Sequence, residues 1–281
     1  MKTEEFRDIV YDSDDETGIV TVTLNTPKRK NALSPLTFLE LFWAIDALER
    51  DDAAHAMIIT GARDPDSDDP AKEAFSSGGY FNPAAFEGLP DEIMKQIDLK
   101  DIAQKRTTLK LFKCDKPVIA AINGLAVGGA VTMALSGADL IYLSEHAWFR
   151  LPFNSLGIIA ELASSYLLPR LVGFQKAKEI VYFSKKISAQ EAVELGLANE
   201  VVPHDRLIPY AREQVLKLIP PAGAGYAVRQ MKRAFHKPFI EVISNALDNE
   251  NEGLNRCFET SDFREGLAAM GERRVPVFTG K

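Results

Sequence analysis

Apolar residues fall into two patterns along this chain. In the first half, short continuous apolar runs alternate with segments whose apolar positions recur every three or four residues; beyond residue 161 the second pattern dominates. Val118-Ile119-Ala120-Ala121-Ile122 is short, apolar and partly β-branched, as a strand covered on both faces should be. Comparable runs predict strands over 55–60 and 139–144, and the segments 6–11 and 18–24 read as a hairpin pair. Phe38, Leu41, Phe42, Ile45 and Leu48 share one face of a helix predicted over 35–50, with Ser34 as its N-cap and Pro35 at its first position. A long helix is expected over 91–113. Helical spacing then marks 175–183, 188–195, 206–219, 222–235, 238–258 and 261–273. Strands alternating with helices point to an α/β class.

Two glycine turns interrupt these patterns. Asn123-Gly124 supplies a turn after the 118–122 strand, and Gly128-Gly129 then opens a helix of small residues. Glycines there let the backbone approach a ligand, while the free N–H groups of the first helical turn favour an oxyanion. A plain strand–turn–helix whose glycines serve packing fits this segment equally well. Ala74-Phe75-Ser76-Ser77-Gly78-Gly79-Tyr80 follows the 55–60 strand across an acidic loop and also ends in two glycines. Two such turns can each offer one N–H to a single carbonyl oxygen, as an enolate or tetrahedral intermediate requires, without a metal.

Composition narrows the function classes. The 281 residues are 46% hydrophobic and 26% charged, enough for a substantial core in one large domain or two modest ones. A formal net charge of −7 argues against a nucleic-acid partner, which calls for a basic stripe. Cys114 and Cys257 have no Cys-x-x-Cys spacing, and the four histidines show no ligand spacing, so neither a disulfide framework nor a metal site is expected. The acidic stretch 61–72 lacks the glycine and terminal glutamate of a calcium loop and reads as a solvated loop. Residues 1–18 are acidic and carry no apolar core of a leader, and no stretch suits a membrane span, so a cytoplasmic location is expected.

The ordered set of motifs resembles the crotonase, or enoyl-CoA hydratase/isomerase, superfamily over nearly the whole chain. It starts at Leu24-Asn25-Thr26-Pro27-Lys28-Arg29-Lys30-Asn31-Ala32-Leu33, similar to the family's early CoA-contacting turn. It continues through Ser77-Gly78-Gly79, the 123–130 turn, Leu168-Pro169-Arg170-Leu171-Val172-Gly173, and Ile187-Ser188-Ala189-Gln190-Glu191-Ala192 with Gly196-Leu197, and ends at Phe263-Arg264-Glu265-Gly266 and Pro276-Val277-Phe278. The resemblance implies a spiral of ββα repeats over 1–200, holding the CoA and active site. A C-terminal helical region over 201–281 would build a trimer or hexamer. It also implies an acyl-CoA thioester as partner and no cofactor beyond the CoA of the substrate. Lys28, Arg29, Lys30, Ala32, Ser77, Gly78, Tyr80 and Phe153 become candidate substrate contacts. Gly79 and Gly129 become the oxyanion-binding amides. Lys232, Arg273 and Phe278 are weaker candidates for the far side of the nucleotide, and Tyr80, Phe81, Phe86, Phe153 and Tyr166 for acyl-pocket walls.

Hydratases of this superfamily use two glutamates, and the matching positions here hold Thr132 and Phe153. Simple hydration is therefore disfavoured. A carboxylate appears downstream instead, in Glu161-Leu162-Ala163-Ser164-Ser165-Tyr166, which resembles the Glu-x-x-Ser-Ser-Tyr stretch of the Δ3,Δ2-enoyl-CoA isomerases, where that glutamate is the lone base. Glu161 also stands alone in the uncharged run 151–160 and 162–168 apart from its own charge, surroundings that should raise its pKa. A carboxylate favoured by a helix start is the plain alternative. The resemblance implies a 3-enoyl-CoA to 2-enoyl-CoA isomerase. A hydratase or hydrolase of an alicyclic or other unusual enoyl-CoA, and an acyl-CoA-binding scaffold without turnover, are the competing readings.

Overall fold

The computed structural model describes residues 2–80 and 82–281. Its larger sheet has six strands in the order β1 (Ile9–Asp14), β2 (Ile19–Leu24), β3 (Ala56–Gly61), β5 (Val118–Ile122), β7 (Leu140–Ser144) and β10 (Glu200–Val202). The first pair is antiparallel and every later pairing is parallel. A smaller sheet orders β4 (Ala74–Ser76), β6 (Leu125–Val127), β8 (Trp148–Arg150) and β9 (Ile187–Ser188). The chain repeatedly steps from the large sheet to the small one and then into a helix: β3 to β4, β5 to β6, β7 to β8. These are the ββα repeats of the α/β class expected.

Eleven helices complete the described fold: α1 (Pro35–Arg50), α2 (Asp91–Met94), α3 (Lys105–Lys113), α4 (Gly129–Gly137), α5 (Ser164–Val172), α6 (Phe174–Phe183), α7 (Ala189–Glu194), α8 (Leu207–Leu216), α9 (Gly225–His236), α10 (Ile240–Phe258) and α11 (Ser261–Glu272). Every residue of β3 and β5 is buried. One face of these strands joins the main core with α1, α3 and α4; the other meets Leu207, Ala211 and Val215 of α8. The first helix of the C-terminal region thus covers its own sheet. No helix among the described residues is long and apolar enough to cross a membrane, and no group of three metal-ligating side chains is found among them.

Local chemistry explains the element boundaries. Helix α1 starts where Ser34 Oγ accepts the Thr37 N–H at 3.1 Å, the N-cap bond that satisfies an orphan donor. The first strand begins at Ile9, three residues later than expected, because Glu40 of α1 accepts the Arg7, Asp8 and Ile9 N–H groups. The helix expected over 91–113 is instead broken across 95–104. Asp98 accepts the Lys100 N–H, and Asp101 accepts those of Lys105 and Arg106. Such side-chain bonds offer the backbone an alternative to helix. Phe42, placed on the apolar face of α1, is half-buried, with the Arg106 guanidinium 4.0 Å from its ring centre.

Candidate active site

Both glycine turns reach the same place because β4 and β6 are neighbours, with Ser76 opposite Ala126. Gly78 has φ 87°, and a Cβ built on it would lie 2.4 Å from the Val127 carbonyl oxygen and 3.7 Å from Gly129 N. A side chain there would be both strained and clashing, so the close approach of the turns depends on glycine. Gly129 is the first residue of α4. Among the described residues, the N–H groups of Gly79 and Gly129 make no hydrogen bond. Gly129 offers its donor at the start of α4 and Gly79 from the turn bridged to Leu33, and two such free donors can stabilise a developing oxyanion.

Glu161 lies against this pair. A Cβ on Gly129 would come within 2.9 Å of Glu161 Oε1. The glutamate is 9% exposed, and its side chain makes no hydrogen bond or ion pair among the described residues. Burial, supplemented by the charge of Glu250, pushes its carboxyl from 4.5 up to about 8. A group in that range can take and return a proton near neutral pH.

Two chambers meet at Gly79 and Glu161. One, of about 490 Å³, is lined by Ser77, Gly78, Gly128, Gly129 and Phe153, with Arg150 and Arg274 as its cations. The other, of about 340 Å³, is lined mainly by Leu33, Phe38, Tyr80, Phe86 and Phe258, with Asp98 and Asp101 at the broken helix. Both volumes are in the range of small-ligand clefts. Phe153 is 2% exposed and makes an apolar wall, while Thr132 is buried with its hydroxyl directed at the Gly128 carbonyl. Neither position offers a second carboxylate.

The basic cluster is placed differently from the glycines. Lys28, Arg29, Lys30 and Ala32 line neither chamber. Arg29 pairs with Asp8 at 3.3 Å and lies 4.5 Å from the Tyr80 ring centre, and Lys30 Nζ donates to the Lys72 carbonyl at 3.4 Å. Lys28 is exposed. Their turn is nevertheless joined to the site, since Ser77 donates its N–H to Lys30 O and its hydroxyl to Arg29 O. Lys232, a weaker nucleotide candidate, is buried and bonded to Lys116 O and Asp139, so it is a structural clamp. Arg273 is exposed at the end of α11, whereas its neighbour Arg274 lines the larger chamber. Tyr166 stacks under Arg170 and lines neither chamber. Phe81 lies outside the described residues.

Several site residues were not among the candidate contacts, although Gly266 and Pro276 lie in motifs that carry the resemblance. Arg274, Val275 and Pro276 reach the larger chamber because the tail folds back along α11: Glu265 holds Arg274 and the Val277 N–H, and Asp262 accepts the Thr279 and Gly280 N–H groups. Gly266 and Ala269 come with them, since a Cβ on Gly266 would lie 2.6 Å from the Leu156 carbonyl oxygen beside the site. Asp98 and Asp101 were hidden inside an apparently continuous helix.

Residues 14–281 match the sequence model of enoyl-CoA hydratase/isomerase. The chain belongs to that family. Its family relatives include the short-chain-enoyl-CoA hydratase of Clostridium acetobutylicum, 31% identical over 264 residues that cover 92% of this chain and 93% of the relative. The 1,2-epoxyphenylacetyl-CoA isomerase of Escherichia coli is 29% identical over 269 residues, covering 95% and 97%. The crystal structure of an enoyl-CoA hydratase from Mycobacterium avium subsp. paratuberculosis superposes with a TM-score of 0.81 at 26% identity, over 97% of this chain and 99% of that one. The crotonase fold and an acyl-CoA-directed enzyme function follow from membership. The particular reaction does not, because the relatives' names include both hydratases and an isomerase.

Proposed function

We propose that this enzyme moves the double bond of an unsaturated acyl-CoA from C3 to C2, with Glu161 as its base. In this reading the Glu161 carboxylate removes a proton from C2. The electron pair left behind delocalises into the thioester, and the resulting enolate oxygen accepts hydrogen bonds from the Gly79 and Gly129 N–H groups. The enolate then collapses, the double bond forms between C2 and C3, and C4 takes the proton from the Glu161 carboxyl. One proton moves within one substrate, so the reaction calls for no separate cofactor.

The observation that carries the reading is the buried Glu161 carboxylate beside Gly129, without a hydrogen-bond or ion-pair partner among the described residues, in a site where Thr132 and Phe153 stand at the positions that the resemblance assigns to the hydratase glutamates. Losing one oxyanion donor typically costs on the order of 10²–10³ in rate, so the amides matter as much as the acid. The larger chamber, with Ser77 and two arginines, suits the CoA side. The smaller aromatic one suits the acyl group. Incubation with panels of 3-enoyl-CoA, 2-enoyl-CoA and cyclic enoyl-CoA esters, with products separated by mass and retention, tests the proposal. Conversion of 3-enoyl-CoA to an isomer of equal mass is expected; a product 18 mass units heavier from 2-enoyl-CoA alone would instead favour hydration through Glu161 (about one water added). That second reading draws on the hydratase names among the relatives. CoA-ester binding without any turnover would favour a scaffold.

A trimer or hexamer belongs to the same proposal. Exposed Tyr226, Met231, Phe235, Phe239 and Val242 on and between α9 and α10 support it as a surface suited to burial between subunits. Sedimentation of a monomer at micromolar concentration would refute it.

A further inference from the structure

Glu250, on α10, is 1% exposed, and the reaction written above makes no use of it. Its two carboxylate oxygens collect three donors from one short segment. Oε2 accepts the Ala163 N–H at 2.8 Å, and Oε1 accepts the Ser165 N–H at 2.9 Å together with the Ser165 hydroxyl. That segment leaves Glu161 through two successive left-handed residues, Leu162 at φ 57° and Ala163 at φ 62°, neither of them glycine. Such a conformation persists when the surroundings hold it. The Ser164 N–H, donating to Glu161 O at 3.2 Å, closes the same turn.

We propose that Glu250 is the positioning residue for Glu161: it fixes the left-handed turn that sets the base against Gly129 and places a second buried negative charge behind it. The inference rests on the reading of Glu161 as the base. Around Glu161, α4 contributes no titratable side chain, the larger chamber contributes Arg150 and Arg274, the smaller one Tyr80, Asp98 and Asp101, and α10 contributes Glu250, while Tyr166 and Arg170 of α5 pair with each other and line neither chamber. Of these, Glu250 is the charge that acts on the Glu161 carboxyl, raising it beyond the effect of burial. Burial also raises the Glu250 carboxyl, while its three hydrogen bonds oppose that rise and favour its ionised form.

Glu250→Gln keeps the size and removes the charge, and Ser165→Ala removes one donor and keeps the charge. The midpoint of Glu161 is read by carbon NMR of labelled glutamate carboxyls, assigned with Glu161→Gln, alongside kcat and KM for a CoA ester. In Glu250→Gln the midpoint should fall by about one pH unit. In Ser165→Ala it should stay in place. On the alkaline plateau, kcat of Glu250→Gln should fall on the order of tenfold or more, with KM within about twofold. An unmoved midpoint in folded Glu250→Gln, or an equal fall in both variants, overturns the proposal. Should Glu250→Gln fail to fold by circular dichroism, Glu250→Asp keeps the charge on a shorter arm; it should retain the midpoint and lose kcat, and unchanged kcat would overturn the positioning role. The titration needs no turnover, so failure of the base assignment, seen as full activity in Glu161→Gln, is read separately.

Discussion

Replacing Glu161 by Gln should make the protein more stable at alkaline pH, in proportion to what its buried charge costs. The folded-state value of about 8 stands above the ordinary 4.5, so between these limits the folded protein binds more protons than the unfolded chain. Stability of the wild type therefore declines as pH rises through this window. The full span corresponds to on the order of 5 kcal/mol. The carboxylate opens onto two chambers through which water reaches it, so about 2–4 kcal/mol is the expected gain of the variant at pH 9. Below pH 4.5, both states of the wild type are protonated at this position, and the two proteins should differ by less than about 1 kcal/mol. Urea unfolding of both proteins at half-unit pH steps from 4 to about 9 measures the difference. A difference that is flat with pH, or that shrinks as pH rises, would refute the reasoning about this carboxylate.

Other consequences concern the site and its supports. Gly129→Ala keeps the N–H donor but puts a methyl group within 2.9 Å of Glu161 Oε1, so the base is displaced and turnover should drop on the order of 10²-fold with the fold intact by circular dichroism. The pH profile of kcat/KM should rise with pH as Glu161 loses its proton, with an acid limb centred near 8; a limb centred near 4.5 would contradict a buried base. Ser34→Ala removes the cap of α1 and a hydrogen bond to Asp8, so thermal or urea unfolding should show a loss of about 1–2 kcal/mol.

Much of the fold was legible because its longer elements obey simple patterns. Helix α1 matches its expected 35–50 bounds since Ser34, Pro35 and the apolar face agree, and β5 matches since a both-faces-buried strand is continuously apolar. The short strands β6, β8 and β9 have two or three residues each, too few for alternation to register. The break between α2 and α3 was illegible because Asp98 and Asp101 suit a helix surface as well as a turn, and their choice depends on backbone donors brought near by folding. At the site, Glu161 stood out as a charge in an uncharged run, and the glycines stood out by pairing. Glu250 did not, because α10 carries other acids and the donors it serves lie 85 and 87 residues away. Lys232 misled for a related reason: a lysine that clamps two strands' ends reads in sequence like one on a surface.

The most direct test of the central claim is isomerisation of a 3-enoyl-CoA by wild type and Glu161→Gln, with affinity for a CoA ester measured on the same preparations. If Glu161 is the base of an isomerase, the double bond migrates to C2 in the wild type. In the variant, turnover should fall by about 10³-fold or more at nearly unchanged affinity. Full turnover in Glu161→Gln would contradict it.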